Sequence, residues 1–430
     1  MKQLDKKTIK EYRLIIGSLF IQREVVNYST VRHYNNMKKK IVIIGNGFAS
    51  LFFIQYFLLS PVYPFFAWIS RRIYSNVDIT VIGNGKFIYF PAIPEFITGK
   101  KNREKITVDI RPYLNRRNIK HVEAIVTDIQ DGGRTVITDK GVIKNDALFL
   151  GIGPSFFKDD IPGTREHTYS PCDGPESMEA FIQKLDSLKS GAIYLGFKIN
   201  KMDGFVSGRA GQMYECACLL DHALKEKGVR DKFKIHFFSS NLSKDDKGMI
   251  TDRLHEREII LEYGYEPAEF VKGGMLDEDG GFREADLILF SPGITGSELV
   301  KKSCLPVSKG GQVDVDKYGQ VKGLENVFAS GDCASHENPP PWVPHQAHMA
   351  QLRSQAAAKN MQAILSGERP QSTYRFELSC IMNMENDAMW MHMASDDKPP
   401  FWNLFPRRSK KLIAVKNLFE RLYLFYLRYL

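Results

Sequence analysis

Residues 38–51, KKKIVIIGNGFASL, constrain this chain more than any other stretch. A short apolar run, residues 41–44, stops abruptly at Gly45-Asn46-Gly47, and a helix-like segment over residues 48–59 follows at once. A first strand, a tight glycine turn and a helix N-terminus have this form in a dinucleotide-binding unit. Gly45 permits the turn, Gly47 lets the backbone approach a pyrophosphate, and the exposed N–H groups of the helix end hold the phosphates. Ser50 stands where a third glycine is usual. The resulting G-x-G-x-x-S pattern is equally compatible with a strand-turn-helix that binds nothing.

A chain of 430 residues with 43% apolar and 25% charged residues predicts two or three globular domains and a large core. The net charge of +9 suits nucleic acid, an anionic membrane or plain solubility. No nucleic-acid motif accompanies it, and some of the excess lies at the C-terminus. Six widely spaced cysteines without a C-x-x-C pair exclude a disulfide scaffold and the usual zinc spacing, so no metal is expected. Residues 41–70 carry no formal charge, yet Gly45, Gly47, Pro61 and Pro64 interrupt them. The 13 residues between, 48–60, fall short of the roughly 20 that a membrane span needs. The greasy segment at 61–68, PVYPFFAW, reads either as an insertion touching membrane or a partner, or as a buried loop. Residues 1–36 precede Met37 and read as an appended helix (9–26) or an upstream start; a secretory signal fits poorly.

Further along, residues 77–82 (VDITVI) predict the second strand. An acidic residue that binds ribose is common at its end; here Asn84 takes the place, still able to bond a hydroxyl. Residues 122–129, 135–138 and 146–150 supply further strands, the last running into Gly151-Ile152-Gly153-Pro154. A second unit begins near Gly191 with a strand at 192–195. Only Gly196 of a glycine fingerprint follows it, and an irregular loop intervenes before a helix near Gly211, so this unit has the architecture without the phosphate cradle. That argues against NADH as substrate. A later strand ends at Gly331-Asp332, where an aspartate can bond the ribityl hydroxyls of a flavin; with Gly45, Gly47 and Gly153 this spacing points to FAD. Pro344 suits the first turn of a helix reaching to about residue 364, whose positive end would face the flavin ring.

With Cys172 and Cys380 added, the chain resembles the sulfide:quinone oxidoreductases, relatives of type II NADH dehydrogenases and of flavocytochrome c sulfide dehydrogenase. The likeness covers residues 38–430. It rests on Pro91-x-x-Pro94-x4-Gly99, Gly153-Pro154, Tyr214-Glu215, the KEKGVRDK run at 225–232, Lys416-x-x-Phe419-Glu420, and the cysteines in YSPCDGPESMEAF and LSCIMNMENDAMW. The resemblance implies a Cys172–Cys380 redox pair beside FAD, opened by hydrosulfide, with sulfur leaving as polysulfide and quinone reoxidising the flavin. It implies Gly45, Asn46, Gly47, Ser50, Asn84, Val126, Gly153, Gly331, Asp332 and His345 at the cofactor, and Trp390 and Phe405 at the quinone. From the residues alone, Cys172 and Cys380 read as unpaired buried thiols, 208 positions apart (380 minus 172); the pairing comes from the resemblance. Cys216, Cys218 and Cys304 read as structural, and Cys333 lies beside Asp332. The family commonly has P-K-[TS]-G where this chain has Pro344-His345, so a fixed cation gives way to a group titrating near pH 6.5, a flavin or proton-relay residue or a simple helix cap. No counterpart of the family's third cysteine is evident.

Five methionines over residues 382–393 at mostly two-residue spacing predict strands, forming an adaptable quinone pocket, core packing, or a soft metal site with Cys380 and His392. Residues 409–430 predict an amphipathic helix. From Arg407 onward there are seven basic residues against Glu420, interleaved with apolar and aromatic side chains, a pattern for lying in a membrane interface or for packing on the core.

The fold class expected is therefore α/β: tandem Rossmann-like units with a C-terminal membrane-associating region. The divisions are an extension at 1–36, a first FAD-binding segment at 37–160, the second Rossmann-like unit at 161–290, a returning FAD-binding segment at 291–365, and a quinone and membrane region at 366–430. The activity expected is that of a peripheral, monotopic sulfide:quinone reductase with FAD, sulfide and a membrane quinone as partners, a homo-oligomer being left open. The alternatives are a type II NADH dehydrogenase, a sulfide dehydrogenase feeding a cytochrome, and a non-catalytic redox sensor.

Overall fold

The structure is a computed structural model describing residues 38–58, 77–202, 208–242, 249–395 and 407–430. The N-terminal extension, the insertion at 61–68 and Phe405 lie outside the described residues.

The first unit contains β1 (Lys39–Ile44), α1 (Phe48–Leu58), β2 (Val77–Ile82), β3 (Lys120–Val122) and β4 (Ala147–Leu150). The second contains α2 (Pro175–Ser187), β5 (Gly191–Phe197), α3 (Ala210–Glu226), β6 (Phe233–Ser239), β7 (Ile260–Tyr263) and β8 (Leu287–Ser291). The chain then returns to the first unit with β9 (Val327–Ala329) and α4 (Ala347–Leu365). It finishes with β10 (Glu377–Asn383), β11 (Ala388–Ala394), β12 (Arg408–Ser409) and α5 (Lys411–Tyr429).

The first sheet runs β9-β4-β1-β2-β3, with every pair parallel. Its central strand is an unbroken β-branched run, Ile41-Val42-Ile43-Ile44, buried because helices and strands cover both faces. Helix α1 is apolar on all sides, FASLFFIQYFL, as befits a helix packed between the sheet and α4; Phe53 stacks on Phe149 of β4 with ring centroids 4.0 Å apart. The carboxyl ends of β1, β4 and β9 lie side by side. The Gly151 N–H donates to the Ile44 carbonyl (2.9 Å) and the Ser330 N–H to the Leu150 carbonyl (3.1 Å). Gly45, Gly153 and Asp332, distant in sequence, thus meet at one edge, where open parallel sheets bind ligands.

The second sheet runs β7-β6-β5-β8, again parallel. Met213, Cys216, Ala217 and Leu220 of α3 cover one face, and Phe270 and Phe290 lie in the cluster with Tyr194 and Phe238 on the other. The methionine-rich segment forms the antiparallel hairpin β10–β11, whose register sorts its side chains. Cys380, Met382, Met389 and Met391 take one face; Ile381, Ala388, Trp390 and His392 take the other.

Three sequence expectations are corrected. Residues 122–129 are two strands, β3 and a separate one at Val126–Gln130, because they belong to different sheets. Helix α4 begins at Ala347 rather than Pro344: Gln346 is an extended N-cap (φ −151°), and the His345 carbonyl is taken by Arg209. The last helix begins at Lys411, because Arg408–Ser409 pair with β11. Leu412, Lys416, Glu420, Leu424 and Leu427 form a buried stripe at helical spacing, so α5 packs on the protein along one face. Lys416 therefore drops out of any basic surface on this helix. Among the described residues, no helix is long and apolar enough to cross a membrane.

Candidate active site

Gly45 has φ +99°, and a Cβ built there would lie 2.4 Å from the Gly151 carbonyl oxygen, so both backbone conformation and space demand glycine. Ser50 is fully buried, and its Oγ lies where a side chain on Gly151 would go; helix and strand approach closely through this pair. At Gly47 and Gly153, by contrast, a Cβ would meet nothing within 4 Å. Both glycines border open space at the strand ends, as a cradle for a phosphate-bearing ligand requires. Asn46 donates to Asn84 Oδ1 at 3.2 Å, and Asn84 Oδ1 also accepts from the Lys86 N–H at 3.0 Å, which closes the end of β2. Val126 is half-buried at the start of its strand, packed on the first core.

Gly331 (φ +77°) lets the chain turn after β9, and the buried Arg353 pins that turn by donating to the Gly331 and Ala334 carbonyls, each at 3.0 Å. Asp332 is gripped on both oxygens. His345 Nδ1 lies 3.4 Å from Oδ1, and the Arg209 guanidinium donates to Oδ2. Burial alone would raise this carboxyl; Arg209 and His345 outweigh it and hold it well below the usual range.

The second unit differs. A Cβ on Gly196 would fall 2.3 Å from the Phe238 ring, which stacks parallel to Phe290. Lys198, two residues on, is paired with Asp160 and Glu266. Gly196 lies within β5, paired with Phe238 of β6, so among the described residues its surroundings are aromatic packing on the sheet and ion pairs at Lys198.

Cys172 lies in the short turn Pro171–Asp173, which Ser170 caps by accepting from the Cys172 N–H. Its Sγ is 3.2 Å from Ser291 Oγ at the end of β8. Burial pushes the thiol up, opposed first by the Arg209 charge and then by hydrogen bonds from Ser291 and Ser170. Cys380, on β10, is pushed up to about 12 by burial and by the Glu215 carboxylate, with Lys416 opposing. Both are free and partly buried. Cys216 on α3 is buried between these neighbourhoods and senses both Glu215 and Cys172; burial pushes it well up. Cys333 is tied to the Leu150 and Ser330 carbonyls, and Cys304 is exposed.

Beside Cys380 lies a buried charge cluster that local sequence reading does not reveal. Lys416 Nζ bonds Glu215 and lies 3.2 Å from Glu95, while Lys101 pairs with Glu420. Burial lifts Glu215 to about 7 despite Lys416. Burial would pull Lys416 down, but the two carboxylates outweigh it and raise it. Trp390 is buried against Leu412 on the face of the hairpin opposite Cys380. His392, on that same opposite face, bonds Glu377 at 3.0 Å, so the soft metal site with Cys380 is ruled out by the pleat. The structure thus gathers Gly45, Gly47, Gly153, Gly331, Asp332 and His345 at one edge and sets Trp390 apart from Cys380. Arg209, Ser291, Glu95 and Arg353 were missed. Each acts across more than one element, and only the Tyr214-Glu215 and Lys416 motifs carried a signal for the charge cluster.

Among the described residues, a glycine cradle with a buried aspartate at its edge, joined to a second α/β unit, marks an FAD-dependent oxidoreductase of the two-unit type. Residues 39–354 match the pyridine nucleotide-disulphide oxidoreductases, and the chain belongs to that family. It is 25% identical over 418 residues to a sulfide-quinone reductase of Aquifex aeolicus, covering 91% of this chain and 92% of the relative. It is also 25% identical over 363 residues to a type II NADH:quinone oxidoreductase of Staphylococcus aureus, covering 79% and 85%. The solved sulfide:quinone oxidoreductase of Aquifex aeolicus superposes with a TM-score of 0.74 at 22% identity, over 91% of each chain. The resemblance read from the motifs is thereby borne out, and FAD is the cofactor.

Proposed function

We propose that the protein oxidises sulfide and delivers the electrons to a membrane quinone, with Cys172 and Cys380 as its redox pair. The observation that carries this reading is the contrast between the two units. Gly47 and Gly153 border open space, whereas Gly196 is closed by Phe238. Among the described residues the second unit shows no glycine cradle, and in this reading a Cys172–Cys380 disulfide accepts the electrons of sulfide. The Aquifex relative, matched over nine-tenths of both chains, supports the same direction.

FAD, when bound, supplies a two-electron acceptor. The turn at Gly45–Gly47 and the N-terminal N–H groups of α1 would hold its pyrophosphate, with Ser50 keeping the helix close to the strand. Asn46, Asn84, Val126 and Gly153 would border the nucleotide, and Asp332 with Gly331 would receive the ribityl chain. His345 backs Asp332. A Cys172–Cys380 disulfide is a two-electron oxidant that hydrosulfide opens as a nucleophile. Reducing a quinone consumes protons, and the Glu215 carboxyl, titrating near neutrality against Lys416 Nζ, holds one in the buried cluster. Trp390 and Phe405 are assigned to the quinone approach.

Membrane attachment as a monotopic protein rests on the outer face of α5, where Phe425, Tyr429 and Leu430 are exposed beside Lys411, Arg421 and Arg428. Such a face suits an anionic interface.

The test is anaerobic. Sulfide or NADH is mixed with the purified protein, bleaching of the flavin's visible band is followed, and a short-chain quinone is then added. Bleaching by sulfide with recovery on quinone is expected. Bleaching by NADH alone overturns the reading in favour of a type II NADH dehydrogenase. Recovery with a cytochrome but not with quinone points to a sulfide dehydrogenase, and the absence of sustained turnover points to a sensor.

A further inference from the structure

The hairpin face opposite Cys380 carries a second buried ionic cluster. Glu377 of β10 is buried, and three other segments converge on its two oxygens. Arg375, just before β10, bonds Oε2 at 2.7 Å, and His392 of β11 bonds Oε1 through Nε2 at 3.0 Å. His348, in the first turn of α4, brings its own Nε2 to 3.4 Å from Oε1. Trp390 shares this face, its ring centroid 5.8 Å from that of His392, and Leu412 of α5 packs against it. We propose that His392 is a proton donor to the quinone, with Glu377 fixing the orientation and tautomer of its ring. This rests on the reading above, in which a quinone is the acceptor and approaches at Trp390.

The tautomer follows from the charge on Glu377. Burial alone would raise this carboxyl, but His348, His392 and Arg375 outweigh it and hold it well below the usual range. An ionised carboxylate has no proton to give, so the hydrogen in the His392–Glu377 bond belongs to Nε2. Nδ1 is then the atom that takes and releases a proton, while Nε2–H stays on Glu377 throughout. Reducing a quinone to quinol takes two electrons and two protons. The electrons arrive through the cofactor, and the Glu215 carboxyl holds one proton in the reading above. His392 supplies the other, from Nδ1 to a quinone oxygen, and is reprotonated from water. The packing of α5 on this face sets the donor on the same side of the hairpin as the proposed membrane helix. Cys380 lies across the pleat, which keeps the sulfur chemistry apart from this proton.

The test starts from photoreduced holoprotein, so it does not depend on sulfide. Flavin reoxidation by a short-chain quinone is followed anaerobically in stopped flow and compared with reoxidation by ferricyanide, which takes electrons without protons. His392→Gln keeps an N–H for Glu377 but has no ring nitrogen to pass a proton. It is expected to slow reoxidation by saturating quinone about a hundredfold, as loss of a general acid does. The ferricyanide rate should stay close to wild type, and so should quinone affinity, read by quenching of intrinsic fluorescence. His392→Gln protein that quinone reoxidises as fast as wild type overturns the proposal. So does equal slowing with both acceptors, or a loss confined to quinone affinity, since packing or binding would then be responsible. Wild-type protein that ferricyanide reoxidises and quinone does not overturns the quinone reading itself, and this proposal with it.

Discussion

Replacing Lys416 with methionine tests the buried charge cluster most directly. Lys416 Nζ lies 3.2 Å from Glu95 and bonds Glu215, and all three residues are buried. At an effective dielectric of about 20, a charge pair at that distance attracts by about 5 kcal/mol. Desolvation offsets much of this in the intact cluster. Removal of one partner leaves the other charges buried and unmatched, at a cost of about 3–5 kcal/mol. The sign with pH follows from Glu215, whose carboxyl titrates at about 7 when folded against an ordinary 4.5. Between those values the folded protein binds the extra proton, so the contribution of this group falls as pH rises through the window. Without Lys416 the folded value climbs further, and the deficit grows toward alkaline pH. Urea unfolding followed by intrinsic fluorescence at about pH 8 and about pH 5.5 reads both effects, with a larger loss expected at the higher pH. Glu215→Gln added to Lys416→Met should recover some of the loss and flatten its pH dependence. A Lys416→Met deficit below about 1 kcal/mol, as for a surface ion pair, or an equal deficit at both pH values, would refute the reasoning.

Gly47→Ala should leave the thermal stability of the flavin-free protein unchanged while lowering the flavin content of the purified protein, because its Cβ enters open space; Gly45→Ala should impair folding itself, read by soluble yield. Cys172→Ser and Cys380→Ser should each slow sulfide-driven flavin bleaching by orders of magnitude in stopped flow, and near-normal rates in both would remove the dithiol mechanism. Phe425→Glu with Tyr429→Glu should reduce sedimentation with anionic liposomes without altering the melting profile, since both side chains point outward; unchanged sedimentation would shift the anchor elsewhere.

Much of the cofactor edge was legible because its determinants are local. Gly45 and Gly331 occupy backbone conformations that other residues resist, and such positions leave a visible mark on the sequence. The loss of the glycine fingerprint in the second unit was legible for the same reason, although its one remaining member, Gly196, lies within β5 itself. The closure of that site by Phe238 was not, because it depends on a neighbouring strand. Trp390 was placed at the quinone, and the methionine-rich segment was also read as a soft metal site joining Cys380 to His392. Whether two residues of a hairpin share a face depends on the register across its turn, which the methionine spacing did not reveal. Lys416 was counted among membrane-facing basic residues, although the heptad-like stripe of Leu412, Glu420, Leu424 and Leu427 puts it inside. Arg209 carried no signal at all. Its partners lie 123 and 136 positions away, and nothing around it in sequence distinguishes it from an ordinary loop arginine.

The discontinuity of the first sheet bears on how the protein is made. β1, β2 and β4 emerge early from the ribosome, but β9 and α4, which complete the sheet and cover α1, are synthesised only after the whole second unit. The second unit is contiguous in sequence, although its core also takes Met382, Met384 and Met389 from the C-terminal hairpin. The first must wait with α1, an uncharged apolar helix, short of its partner. Nascent chains stalled before β9 should therefore be the species that chaperones hold and that aggregate when translation is slowed.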